Sequence, residues 1–538
     1  MKIQLAIWCA LTSTLAVANT NEVVRNISLR KLPPLDTRFR HLMLDDYVVS
    51  RHTANVKREF HQARKLGRPL LSSDRPHERE AMALNVPSVL YDRQAGKYRM
   101  WWHNVWFRTD QRGRRRLYIP PAYAESADGL NWTKPKLNQV DYHGDGGTNN
   151  CLTGISDPLF SVCFDHEGKI RGFWCPRNGT AVLQDGTKVT DPKQLSLGVF
   201  PGFAEIRGVH ARAVSDQWRV MYDPVNAEYR ATAKTWATLA GSKVPAKFRR
   251  AITIMTSKDA KKWTHTGRII QTDLAYDRYA EQLPNRKDRS IPAWSELHDM
   301  NLQRYEQLLV GLNCILFTYD ENGAGGKEIT GSNTKHFLTW SRDGLGWSRP
   351  ERRVPLIPVE WGTDDWGRHT TGSPFMIVRE KEIWIYCDIG HGHKNNTYKP
   401  PRGKTITLAK LRRDGFASYS ASGRGWIETA PFIAEGQLRL NVDASSGSAR
   451  VGVMAVSETD PHVGPRAVKS IPGFAVEDCR PITADQFAAT VKWRDKQWSD
   501  LKGRLVNLRI QLHDAELYSF WTRTNSGQEV VTNLVDDE

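Results

Sequence analysis

Apolar and polar residues alternate with a period of two along much of the chain, the pattern of half-buried β-strands. The clearest stretch is Pro87 to Trp132. Two runs, PSVLYD and KYRMWWH, carry Val89, Tyr91, Tyr98, Met100 and Trp102 on that period and are joined by the turn RQAG. A third run, AYAES, leads into the loop ADGLNW, where Asp128 and Gly129 supply turn chemistry and Trp132 a large apolar anchor.

The unit repeats. Hairpins of the same design start near Pro87, Leu159, Arg219, Asn301 and Ser373, at offsets of 72, 60, 82 and 72 residues. The loop recurs as Ser257-Lys258-Asp259 before Trp263 and as Ser341-Arg342-Asp343-Gly344 before Trp347, with an echo at Arg413-Asp414-Gly415-Phe416 and no clear copy in the second unit. Repetition at such spacing predicts blades around an axis rather than hairpins in one sandwich. The expected fold is all-β: a five-bladed β-propeller over 41–424. Its first strand, LMLDDYVV, is expected to close the ring with the last blade, with the Asp45-Asp46 step read as a turn or edge-strand feature ahead of a catalytic pair. Beyond residue 425 the alternation continues in QLRLNV, ARVGVMAV and RLVNLRIQLHDAELYSFW without the Asp-Gly-Trp loop, which predicts a β-sandwich over 425–522. A polar tail, 523–538, is expected to be loose.

The N-terminus changes the picture of where the protein works. Lys2, the apolar run Ile3–Leu15 and the small residues Ala16-Val17-Ala18 read as a signal peptide over 1–18, followed by a leader over 19–40. The apolar run is too short for a membrane span, so a secreted or periplasmic protein is expected. Beyond the signal peptide Cys151, Cys163, Cys175, Cys314, Cys387 and Cys479 are scattered, unlike a dense disulfide framework. No CxxC or HExxH motif occurs, and no metal or other cofactor is expected.

Lys and Arg number 76 against 59 Asp and Glu, a formal charge of +17. In an exported protein this favours acidic partners such as sulfated or uronic polysaccharides, and equally describes a solvated basic surface. Nucleic acid is excluded as the expected partner: the basic residues are dispersed and no helical reading motif is evident. Nineteen Trp suit a sugar-handling β protein, although most are explained as blade anchors. Trp102 is a candidate stacking residue.

In a propeller the innermost strands line the axis, so the residues leading into them face a central funnel. These lead-ins are polar: Glu80 and Asn85, Asn150 and Asp157, His210 and Arg212, Glu296, His298 and Asp299, and Arg368, His369 and Thr370. Unpaired ionisable groups are costly to bury, which favours a functional pocket over a merely wet face. Glycoside hydrolysis needs two carboxyl groups flanking the scissile bond, roughly 5–5.5 Å apart for retention and roughly 6.5–9.5 Å for inversion. Glu296, beside Trp294 and Leu297, is the candidate acid; Glu80 or Asp157 is the candidate base or nucleophile. Asn85, His210, Arg212, Asp299, Arg368, His369 and His391 are candidates for holding substrate hydroxyl, sulfate or carboxylate groups.

The five-hairpin layout, Ile155-Ser156-Asp157-Pro158 and Trp294-Ser295-Glu296 resemble five-bladed propeller glycoside hydrolases of families 32 and 43, with a C-terminal β-sandwich. The strings LMLDDYVVS, PSVLYDRQAGKYRMWW, ESADGLNWTKP, LRRDGFASY and FAVEDCRPITAD are similar to those of exported bacterial proteins of this class, and the resemblance spans about 40–522. It implies three acids on the axis, with Asp157 stabilising the transition state or tuning a pKa and Glu296 as the acid. Asn85-Val86-Pro87 stands where an Asn-Asp-Pro-Asn step is expected, Ser156 replaces an arginine, and no Cys follows Glu296. The expected activity is therefore hydrolysis of a polysaccharide or oligosaccharide with the base unassigned. Against it stand a non-catalytic glycan-binding or surface-assembly protein and, more remotely, a uronate lyase.

Overall fold

The structure is a computed structural model. It describes residues 23–25, 34–79, 82–109, 112–113, 115–118, 120–140, 149–155, 159–175, 179–197, 218–241, 249–283, 292–319, 331–358, 372–389, 405–457, 466–522 and 530–535. The chain divides into two compact units, Phe60–Phe416 with Gln528–Glu538, and the chain up to Glu59 with Ala417–Gly527.

The first unit is five sheets in chain order, a five-bladed arrangement, antiparallel except where Ser196–Leu197 pairs in parallel with Lys262–Ile270. Blade 1 is Met82–Asp92, Lys97–Thr109 and Pro121–Ser126, with Arg115–Tyr118 on its extended middle strand; blade 2 is Leu159–Phe164, Ile170–Cys175, Gly179–Gln184 and Lys188–Gln194. Blade 3 is Trp218–Asp223, Glu228–Ala237, Arg249–Ser257 and Lys262–Ile270; blade 4 is Trp294–Tyr305, Leu308–Tyr319 and Gly331–Ser341; blade 5 is Phe375–Val378, Glu382–Ile389 and Thr405–Arg412. First strands of successive blades meet around the ring, and blade 5 meets blade 1. The apolar positions of the alternating pattern pack between blades. Cys163 and Phe173 of blade 2 meet Trp218, Tyr229 and Trp263 of blade 3, and Met221 and Ile254 of blade 3 meet Leu297, Phe317 and Phe337 of blade 4.

The ring is closed by a different segment from the one expected. Arg64–Lys65 and Leu71–Ser72 pair with the outer strand Thr405–Arg412 of blade 5. The 41–49 stretch lies in the other unit, where His41–Leu42 pairs with Leu505–Trp521 and Val49–Thr53 with Ala417–Thr429. Asp45 makes a turn there, accepting the Tyr47 N–H at 3.0 Å. The C-terminal stretch expected to be loose is tied down at 530–535: Val531 bridges Tyr305, and Val535 N donates to Val378 O at 2.8 Å. Between blades 3 and 4 the chain forms a helix, Leu274–Glu281, N-capped by Asp273.

The repeated loop has one geometry. In blade 1 Asp128 Oδ1 accepts the Leu130 and Asn131 N–H groups at 2.8 and 2.7 Å, and Trp132 Nε1 donates to Gly129 O. In blade 4 Asp343 accepts from Leu345 and Gly346 at 2.7 and 2.9 Å, and Trp347 donates to Gly344 O. Gly129 and Gly344 have φ of 72° and 76°, the left-handed region that suits glycine. Blade 2 turns instead at Asp185-Gly186-Thr187, the first two with positive φ, a short hairpin between Gln184 and Lys188 that needs no tryptophan anchor.

The second unit is an eleven-stranded sheet around Leu505–Trp521. That strand pairs on one edge with Ser448–Ser457 up to His513 and then with Arg439–Asp443 from Glu516. Asp514 between them has φ 46°, so the strand bends where its partner changes.

Candidate functional site

The inner strand of blade 4 begins at Trp294, seven residues before the hairpin start read from the sequence, so SELHDM is strand rather than lead-in. Its beginning is fixed to the helix before it: Asp277 Oδ1 accepts from Ser295 N at 2.9 Å and Ser295 Oγ at 2.8 Å, and Arg249 Nη1 donates to Asp277 at 2.8 Å. Glu296 follows, 9% exposed, and is clamped from blade 3. Arg250 Nη1 pairs with its Oε2, and Arg250 N donates to Oε1 at 3.4 Å. The strand then bulges between Leu297 and Asp299, the kind of irregularity that re-aims side chains beside functional sites.

Asp299, expected to hold substrate, is a rung between blades. Its Oδ2 takes Arg219 Nε and Nη2 of blade 3 at 3.2 and 3.0 Å, and Ser373 N and Oγ at the start of blade 5 at 2.9 and 2.8 Å. Met300 N donates to its Oδ1 at 2.9 Å, and the side chain is 1% exposed. Asn301 and Gln303 continue the series along the same strand: Asn301 Nδ2 reaches Pro374 O at 2.9 Å, and Gln303 exchanges two bonds with Met376. Period-two side chains thus replace a backbone ladder between adjacent inner strands. Behind them His336 Nε2 lies 2.9 Å from Gly372 O, and burial lowers the His336 pKa.

Trp102 is also internal. Its ring is buried, with Nε1 donating to Asn104 Oδ1 at 3.0 Å, and presents no face for stacking a sugar. Asn85 lies on the inner strand of blade 1 opposite His103. Glu80, Asp157, His210, Arg212, Arg368, His369 and His391 lie outside the described residues. Of the predicted set the structure thus describes Glu296 and Asp299 three residues apart on one strand, Glu296 paired with Arg250 on the third strand of blade 3 and Asp299 with Arg219 on its first.

A second cluster was not anticipated. Lys134 Nζ donates to Asp74 Oδ1 at 2.7 Å, Glu78 Oε2 at 2.6 Å and Ser72 O at 2.8 Å. Glu78 is buried on the short helix Pro76–Arg79 that precedes blade 1, and burial raises its pKa against the pull of Lys134. Desolvation also acts on the exposed Asp74, but hydrogen bonding from Lys134 outweighs it and lowers that pKa. Two carboxyl groups driven apart in pKa are the arrangement acid–base chemistry uses. The neighbouring His77 bonds Asn150 Oδ1 at 2.8 Å. The four-residue spacing of Asp74 and Glu78 was the available signal in the sequence. Among the described residues no group of three or more His, Cys, Asp or Glu could hold a metal ion, and no helix is long and apolar enough to cross a membrane.

No family model matches this chain, and no curated protein does. Solved structures resemble it loosely. A glycosyl hydrolase from Bacteroides ovatus aligns with a TM-score of 0.33 and 11% identity, over 66% of this chain and 94% of its own. A GH32 β-fructofuranosidase from Bombyx mori gives 0.36 and 10%, over 87% and 95%. A GH43 protein from Bacillus licheniformis gives 0.30 and 11%, over 93% and 99%. Likeness at this level carries no conclusion about activity.

Proposed function

We propose that this chain is an exported glycoside hydrolase-like protein that cleaves a polysaccharide or oligosaccharide in the funnel of its propeller. The observation that carries the reading is Glu296: a carboxylate largely sequestered from water, at the start of an inner strand whose backbone is pinned by Asp277. In this reading Glu296 protonates the leaving oxygen, and Asp157 or Glu80 activates water or attacks the sugar. Arg250 moves from Glu296 to an anionic group of the bound substrate, which frees the carboxyl group to carry a proton. Asn85, His210, Arg212, Arg368, His369 and His391 hold hydroxyl and anionic groups. The net charge of +17 favours an acidic glycan. The sheet unit is proposed to be a two-layer β-sandwich, its longest strand bending at Asp514 to serve both layers.

The test is reducing-sugar release from neutral and sulfated polysaccharides by the mature protein and by Glu296→Gln. Release that the substitution abolishes supports the assignment; release that survives it moves the acid elsewhere. A second reading, a glycan-binding propeller without catalysis, is favoured by one observation: both described acids of the site are already neutralised, Glu296 by Arg250 and Asp299 by Arg219. Retention on a polysaccharide without any release would select it. Export over residues 1–18 is tested by N-terminal sequencing of the secreted form, which should begin near Asn19.

A further inference from the structure

One face of the second unit's sheet carries an aromatic and basic array that no part of the propeller chemistry uses. Trp426, Gln511 and Arg450 lie directly opposite one another on three adjacent strands. The next row on the same face is Arg51, Glu428 and Arg509. The intervening positions Ile427, Ile510 and Val451 are fully buried on the core side, so the alternation turns the polar set outward. Trp426, Gln511, Arg450, Arg509 and Arg51 are all partly exposed, whereas the Glu428 side chain is 1% exposed.

The charges in this array do not balance. Glu428 is shared by two guanidinium groups: Arg51 Nε meets Oε2, and Arg509 Nε meets Oε1 at 2.8 Å. The Arg509 and Arg51 guanidinium carbons stand 4.8 and 5.9 Å from the Trp426 ring centroid. Glu428 therefore fixes both arginines beside the ring while cancelling one of their two charges. Arg450 donates to the neutral Cys479 carbonyl at 2.8 Å, and no carboxylate among the described residues pairs with it. At usual strand spacing the Trp426–Gln511–Arg450 row is about 10 Å wide. That accommodates a sugar ring beside the indole, its hydroxyls on the Gln511 amide, and an anionic substituent on a guanidinium, which matches carboxylate and sulfate geometry in two-point contacts.

We infer that this face is a binding site for an acidic glycan, a sulfated or uronic polysaccharide, separate from the funnel. The inference shares with the proposed function only the choice of a glycan as ligand; it needs no catalysis by Glu296. The test is affinity electrophoresis of the full chain through gels containing dextran, dextran sulfate or polygalacturonate. Retardation is expected with one or both anionic polymers and not with neutral dextran. Trp426→Ala, which changes no charge, should weaken retention at least tenfold, and Gln511→Ala should weaken it severalfold with an unchanged melting temperature. Arg38→Gln, at a side chain 76% exposed elsewhere in the same unit, should have less than a twofold effect. Glu296→Gln should bind as the parent does, so loss of hydrolysis leaves this site standing. Retention unaltered by both Trp426→Ala and Gln511→Ala would overturn the inference. So would equal weakening by Arg38→Gln and Arg509→Gln, the mark of diffuse attraction to a basic protein, or retention by none of the polymers.

Discussion

Asp223 should be the most sensitive single residue joining two blades. It ends the inner strand of blade 3 with no side-chain exposure, and its two oxygens take five donors. Arg304 of blade 4 gives Nε to Oδ1 at 2.9 Å and Nη2 to Oδ2 at 2.5 Å; Arg230 gives Nε at 3.0 Å; Asn226 Nδ2 and Val225 N complete the set at 2.8 and 3.1 Å. The Arg304 and Arg230 side chains are 1% and 9% exposed. Asp223→Asn keeps the shape and removes the charge. Arg304 then retains the Gln307 carbonyl and Arg230 retains Glu228. Removing one partner from a buried, hydrogen-bonded ion pair costs about 3–5 kcal/mol. Lys97→Gln, which breaks an ion pair whose side chains are 35% and 33% exposed, should cost under about 1 kcal/mol. Urea unfolding followed by near-ultraviolet circular dichroism gives both numbers from the midpoint shift and slope, and where two transitions resolve only the propeller's should move. The pH dependence supplies the sign. Burial alone would raise the Asp223 pKa, but bonding and attraction from Arg304 and Arg230 dominate and lower it. Its stabilisation is therefore present above the unfolded-state value near about 3.9 and is lost as pH falls through the lower folded value. The gap between parent and Asp223→Asn should hold from pH 8 to pH 5 and narrow below pH 4. A loss under about 1 kcal/mol at pH 7, or a gap that widens toward acid, would refute the reasoning.

Three further outcomes are expected. Lys134→Met strands the buried Glu78 carboxyl group and should destabilise by about 3 kcal/mol at pH 7; the penalty should shrink at pH 5, because burial already raises the Glu78 pKa and a proton relieves it, as urea midpoints at the two pH values will show. Cys151, Cys163, Cys314, Cys387 and Cys479 are buried, and burial raises the thiol pKa of Cys163, Cys387 and Cys479, so none of the five should react with Ellman's reagent until denaturant is added. Desolvation lowers His265 to about 4, which makes its neutral form part of the fold: stability should fall as pH drops from about 6.5 toward 4, by on the order of 2–3 kcal/mol, and His265→Leu should flatten that slope in melts across the range.

The sheets were legible because successive side chains of a strand point to opposite faces, so that large apolar residues recur at every second position where one face packs against the neighbouring blade. Val89, Met100 and Trp102 could be placed on strands from the pattern alone, and Asp128 and Asp343 on loops from their Gly and Trp companions. Ring closure was not legible. Arg64–Lys65 and Leu71–Ser72 are two-residue strands, and their partners in Thr405–Arg412 lie far along the chain, so neither period nor composition marks them. LMLDDYVVS carries a stronger strand pattern, which is why the sequence points to it as the closing strand. The helix Leu274–Glu281 was missed for a related reason: only Tyr276 and Ala280 are buried, too few to form an apolar stripe.

Ionisable groups at the axis imply a pocket only where the fold does not itself need them. Asp299 tests that condition. Within its strand it has no partner but the adjacent Met300 N–H, which is why it looked surplus in the sequence. Its other partners, Arg219 and Ser373, lie 80 and 74 residues away on the two flanking blades. Inner strands of a propeller do not hydrogen-bond to one another through their backbones, so side chains must supply the cross-links, and an Asp, Asn, Gln series at every second residue does so here. Part of the polarity of these segments is thus structural and cannot be counted as evidence for chemistry. Glu296 differs. Among the described residues it reaches a single guanidinium and one long backbone contact, and it links nothing in blade 5. A carboxylate with one displaceable partner at the beginning of a pinned strand is what remains once the structural demand has been subtracted. For that reason Glu296, rather than Asp299, is the residue on which the hydrolase proposal stands.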